Sequence, residues 1–192
     1  TVDRRALIPR PETETLVERC LALLDGAPTP RVLDVGTGSG AVALAIADEH
    51  QGARVTAIDV SEQALALARE NAERTGVAVE LVCHDLFAGL PGDDWDLVVS
   101  NPPYVREDEL GTLAREVVDW EPGLALVDGG HTEALVRGAA QVLRPGGALV
   151  LETHEGGAAA VSALLEREGY AAVRTTQDLA GRDRVVEGRR PA

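Results

Sequence analysis

Short β-branched runs alternate with longer Ala- and Leu-rich stretches along nearly the whole chain, and this alternation restricts the fold more than any other feature. RVLDV (31–35), RVTAID (54–59), VELVC (79–83) and LVVS (97–100) read as strands, while 41–48 and 62–76 read as helices. Ser61 stands where a helix cap belongs, and Gly76 where a helix ends. Downstream, 131–143 is predicted helical and stops at Arg144-Pro145-Gly146-Gly147, which leads into a strand at 148–152. A last helix is predicted over 157–168, and 171–175 and 184–187 lie close enough to pair antiparallel. Strands joined through helices need crossover connections, hence a parallel sheet covered on both faces. The expected fold class is α/β: a Rossmann-like, doubly wound, mostly parallel sheet of seven strands with a C-terminal antiparallel hairpin. One domain spanning 1–192 is expected, opening with an extended segment and a helix from near Glu12, within about residues 1–25.

A sheet of this kind binds its ligands beyond the carboxyl ends of the strands. The first such end reads Asp34-Val35-Gly36-Thr37-Gly38-Ser39-Gly40. A dinucleotide loop would space its glycines G-x-G-x-x-G and offer a helix N-terminus to a pyrophosphate. Here the spacing is G-x-G-x-G, and a carboxylate two residues upstream repels phosphate but attracts a cation. S-adenosyl-L-methionine carries an ammonium and a sulfonium and no phosphate, so this loop suits it. Asp59, closing the second strand, is placed to accept from ribose hydroxyls. Asp85, after the third, is placed to accept from an adenine amine, with Leu86 and Phe87 able to cover the purine.

The fourth strand breaks off at Asn101-Pro102-Pro103-Tyr104, where two prolines deny the ladder two N–H groups and stiffen the backbone. The Pro102 carbonyl and the Asn101 side-chain oxygen can accept from one –NH2 group, and Tyr104 can stack on its planar substituent. An amide nitrogen is a poor nucleophile because its lone pair is delocalised, and two such bonds would restore density and fix its approach. Asn101, Pro102 and Tyr104 are therefore the expected catalytic residues, Pro103 completes the substrate grip, and Asn101 also faces the cofactor.

With these motifs in place, the chain resembles the protein-(glutamine-N5) methyltransferases that modify peptide chain release factors. The resemblance rests on LIPRPETE (7–14), DVGTGSG (34–40), NPPY (101–104), WEPGLAL (120–126) and DLAGRDRVV (178–186). It implies methyl transfer from S-adenosyl-L-methionine, giving S-adenosyl-L-homocysteine, to the glutamine of a Gly-Gly-Gln motif. By the same resemblance Gly36, Thr37, Gly38, Ser39 and Gly40 line the methionine moiety, Asp59 the ribose, Asp85 and Leu86 the adenine, while Asp34 is expected to bind the cofactor through its charge. It also implies a small helical domain upstream, which a chain starting at Thr1 is expected to lack. LETHEGGA (151–158) departs somewhat from the family's usual sequence, and a supporting role is expected for it.

Composition narrows the alternatives. A formal charge of −14 argues against a nucleic-acid partner, and with it against adenine-N6 methylation, which also uses an NPPY tip. All 18 basic residues are Arg, which excludes a Schiff-base lysine and a Walker phosphate loop. Methylation of a ribosomal-protein glutamine or of a small-molecule amide or amine stays open, as does a non-catalytic cofactor-binding domain. Cys20 and Cys83 are read as buried hydrophobes, and the four histidines lack metal-ligand spacing, so no metal is expected. Trp120 is expected to pack under the EPGLAL segment near the site, and Arg10 and Glu12 to brace the tip or open the helix. A cytoplasmic monomer without membrane contact, whose partner is a release factor, completes the expectation.

Overall fold

A computed structural model describes residues 1–104, 122 and 127–192. Five strands run parallel: β1 (Arg31–Val35), β2 (Arg54–Asp59), β3 (Glu80–Cys83), β4 (Trp95–Ser100) and β5 (Leu143–Glu152). The hairpin β6 (Ala171–Gln177) and β7 (Asp183–Arg189) pairs antiparallel and joins β5 through β7. The strand order is β3-β2-β1-β4-β5-β7-β6, which reverses direction of progression between β1 and β4. The seven-strand expectation holds.

Helices α1 (Thr13–Leu24), α2 (Ala41–Glu49), α3 (Glu62–Thr75), α4 (His131–Val142) and α5 (Ala158–Arg167) supply the covering layers. Successive strand residues point to opposite faces, and the core divides accordingly. Leu33, Val98 and Leu149 pack with Leu135 of α4 and Leu165 of α5. Val32, Leu97 and Val150 pack on the other face, with Leu16 and Cys20 of α1 and Ile46 of α2. Near-continuous apolar strands such as LVVS follow from burial on both sides.

Local chemistry sets the element ends. The Ser61 hydroxyl accepts from the Ala64 N–H at 3.2 Å, and Gly76 closes α3 at φ +72°. Three expectations are corrected. β5 starts at Leu143, not at Ala148, and takes in the Arg144-Pro145-Gly146-Gly147 stretch read as a turn. The ladder reaches back to Trp95↔Leu143 across an irregularity, and β7's tail holds the stretch through Gly146 N–H to the Arg190 carbonyl and Arg190 N–H to the Gly147 carbonyl. A Cβ at Gly147 would sit 2.8 Å from the Trp95 carbonyl oxygen, so glycine is needed for this close approach. Likewise β4 opens at Trp95 rather than Leu97. Cys20 is buried as expected, but Cys83 is exposed, because β3 is an edge strand.

Among the described residues, no helix is long and apolar enough to cross a membrane. The WEPGLAL block, Trp120 included, lies outside the described residues apart from Pro122.

Candidate functional site

Because β1 to β5 are parallel, their carboxyl ends share one edge. Asp34, Gly36–Gly40, Asp59, Asp85 and Asn101–Tyr104 all lie there, as the sequence predicts. Gly36, Gly38 and Gly40 adopt φ values of +72°, +56° and +81°, where side chains are strained. The turn is pinned to the next strand: the Gly36 and Thr37 N–H groups donate to the Ile58 carbonyl at 2.8 and 3.0 Å. A Cβ built on Gly36 meets nothing within 4 Å, so the backbone there faces open space. Thr37 and Ser39 are buried, and the Thr37 hydroxyl donates to Asp34 at 2.7 Å.

Asp34 is 2% exposed. Burial raises its pKa to about 7, the Thr37 hydroxyl pulls it back, and the neighbouring Asp59 carboxylate pushes it up again. Asp59 accepts from the Gly38 N–H through one oxygen and from the Ser61 N–H through the other, both at 2.9 Å. It therefore clamps the glycine loop to the start of α3, a role absent from the sequence reading. Asp85 lies two residues beyond β3, capping a 3-10 turn (Leu86–Ala88) by accepting from the Phe87 N–H at 2.9 Å. Leu86 packs against the core, whereas Phe87 is exposed and meets His131 edge-on at 5.0 Å.

At the fourth strand end Pro102 is buried and the Tyr104 ring lies 5.7 Å from that of His154. A cavity of about 340 Å³ opens beside Tyr104, lined also by Asp128, Thr153, His154 and Gly157. Burial first and the nearby Glu152 second raise the Tyr104 pKa, which keeps the phenol protonated. The Asn101 Oδ1 is buried and has no hydrogen-bond partner among the described residues. A buried acceptor left unpaired costs free energy, so it calls for a donor.

Sequence reading missed Glu152. It closes β5, is 2% exposed, and follows Leu151, which pairs with Ser100 directly before Asn101. Burial raises its pKa, while Thr13, Arg184 and Asn101 pull it down and Glu12 pushes it up. The signal available was a lone carboxylate ending the apolar run ALVLE; its place near Asn101 follows from the sheet register, in which Leu151 pairs with Ser100.

Two carboxylates, Asp34 and Asp59, and an open glycine backbone suit a cationic ligand without phosphate. Ionised Asp34 would recover its burial cost beside such a cation. The residues present therefore fit S-adenosyl-L-methionine, and the Asn101 oxygen at the same edge fits an amide or amine donor.

Comparison with known proteins agrees with this geometry. Residues 13–172 match the Methyltransferase small domain family. A release factor glutamine methyltransferase of Cereibacter sphaeroides is 47% identical over 197 residues, covering 100% of this chain and 69% of that protein. One of Deinococcus radiodurans is 46% identical, covering 99% of this chain and 69% of that protein. The crystal structure of a release factor-specific protein-(glutamine-N5) methyltransferase from Alicyclobacillus acidocaldarius superposes with TM-score 0.57 at 33% identity, covering 96% of this chain and 95% of that one. A Thermus thermophilus 16S rRNA N2 G1207 methyltransferase with AdoMet and guanosine reaches TM-score 0.70 at 23% identity over 95% of this chain and 44% of that one, a likeness of fold alone.

Proposed function

The chain belongs to the release factor glutamine methyltransferases, and from that premise we propose that it methylates the side-chain amide nitrogen of the glutamine in a release factor's Gly-Gly-Gln motif, with S-adenosyl-L-methionine as donor. The observation that carries the reading is the buried Asn101 oxygen, unpaired among the described residues, at the same sheet edge as the glycine loop and Asp34. Asp34 and Gly36 to Gly40 would hold the methionine end, Asp59 the ribose, and Asp85 with Leu86 the adenine. When bound, the donor supplies an electrophilic methyl: the N–C bond forms as the C–S bond breaks, and the bonding pair stays on sulfur.

The chain's own residues orient the nucleophile. Asn101 Oδ1 and the Pro102 carbonyl accept from the two amide N–H groups, which raises electron density on nitrogen and aligns it. Tyr104, kept protonated, offers its ring to the planar carboxamide. No strong base is needed, because the nitrogen becomes far more acidic once alkylated and releases its proton to solvent.

The test uses methyl-labelled S-adenosyl-L-methionine and a release factor carrying either Gln or Ala in the Gly-Gly-Gln motif. Label is expected on the Gln form alone; label on both, or on DNA, defeats the proposal. Asn101→Ala is expected to abolish transfer while cofactor affinity stays within a few-fold, and loss of that binding would count against its role.

A further inference from the structure

Five buried side-chain polar atoms lack a hydrogen-bond partner among the described residues, and three belong to Thr13, Asn101 and Glu152. These three come from the start of α1, the end of β4 and the end of β5. They meet at one point: Thr13 and Asn101 both act on the Glu152 carboxyl. Ser100 pairs with Leu151 in the last pair of the β4–β5 ladder, and Asn101 and Glu152 are the residues that directly follow it. Arg184 acts on Glu152 from β7, but it is already engaged, donating to Asp178 at 3.3 Å and to the Thr153 carbonyl at 3.1 Å.

A carboxylate only accepts hydrogen bonds, whereas a carboxamide donates through nitrogen and accepts through oxygen. A carboxylate beside Asn101 therefore decides which end of that amide faces it. We infer that Glu152 is a positioning residue that draws the Asn101 Nδ2–H toward itself and so leaves the Asn101 oxygen to the substrate amide. This rests on the proposed methylation of a glutamine amide and adds what selects the orientation of the accepting side chain. Without Glu152 the Asn101 amide can rotate by half a turn and present its –NH2 to the substrate –NH2, a repulsive pairing. Thr13 acts on the same carboxyl from the start of α1, which places the end of the LIPRPETE segment beside the tip.

The experiment compares wild type, Glu152→Gln and Glu152→Leu with a release factor as substrate. Gln preserves shape but can offer either an oxygen or an –NH2 to Asn101, and kcat is expected to fall between three- and thirtyfold. Leu removes the acceptor, and kcat is expected to fall at least a hundredfold. In both, cofactor Kd is expected to stay within threefold of wild type, and the Tm of Glu152→Leu not to fall below it, since an apolar replacement relieves a buried charge. A Gln variant with kcat within twofold of wild type overturns the inference, whether or not the Leu variant folds. Parallel loss of kcat and cofactor binding also overturns it, because that marks a structural role. Should wild type fail to label the release factor at all, the methylation proposal falls and this inference falls with it; an active wild type beside a fully active Gln variant defeats this inference alone.

Discussion

Asp34 is a carboxyl whose burial and whose proposed function pull in opposite directions. In the ligand-free fold it keeps its proton up to about pH 7, because burial penalises the anion more than the Thr37 hydroxyl and the Ala43 N–H reward it, and Asp59 adds repulsion. A pKa raised from 3.8 to about 7 favours the folded state in acid, and that contribution is lost as pH rises through about 7. Thermal stability of the ligand-free protein should accordingly decline across this window, and Asp34→Asn should flatten the decline. A cationic ligand reverses the preference, so cofactor affinity should strengthen by roughly fivefold between pH 6 and pH 7 if only the anion binds. Calorimetry in buffers of different ionisation enthalpy should show close to one proton released on binding near pH 6; no release would sink this account. Asp34 and the glycines were legible because their chemistry lies in one continuous loop. Glu152 was not, because its meaning comes from following Leu151, which pairs with Ser100 across a ladder between segments about fifty residues apart.

At the scale of elements, the glycine loop matters through what it lets α2 do. Gly40 begins α2 at φ +81°, and a Cβ there would stand 3.1 Å from the Ala68 Cβ of α3 and 3.3 Å from a Leu44 methyl. Gly40→Ala thus combines backbone strain with a tight contact between two helices. It should cost roughly 2 kcal/mol and lower Tm by about 4–8 °C, while weakening the cofactor by moving the loop. Gly76→Ala is the control, with the same left-handed strain at φ +72° but no atom within 4 Å. It should cost only about 1–2 kcal/mol and leave cofactor affinity unchanged, as melting curves and titration would show. Equal effects on affinity would mean that the loop does not depend on the α2–α3 contact. Most elements were legible from period and punctuation, since strands buried on both faces announce themselves as apolar runs. The start of β5 was not: Arg-Pro-Gly-Gly is a local stop signal, and the β7 tail, more than forty residues away, overrides it by bonding to Gly146 and Gly147.

Across the whole molecule, the sheet edge that carries the site is assembled from both ends of the chain. Helix α1 lies on β5 and β7, which brings Thr13 behind Asn101 and Glu152. The tie is ionic as well as apolar: Arg19 makes a two-pronged bond to Glu187 of β7, 2.8 Å on each arm, between residues 168 positions apart. Glu187 is 7% exposed, so its carboxylate has little water to fall back on when its partner is removed. A buried charge stripped of its partner costs more than the pair contributes. Arg19→Ala should therefore destabilise by about 2–3 kcal/mol, which for a domain of this size is a Tm drop of roughly 4–12 °C. Arg19→Ala combined with Glu187→Gln should recover much of that loss, since no charge is then stranded. The same single change should loosen α1, raise amide exchange there and lower kcat, because α1 reaches the substrate tip through Thr13 and Glu152. If Arg19→Ala instead leaves Tm within a degree of wild type, the bridge is a surface ornament and α1 is held by Leu16, Cys20 and Leu24 alone.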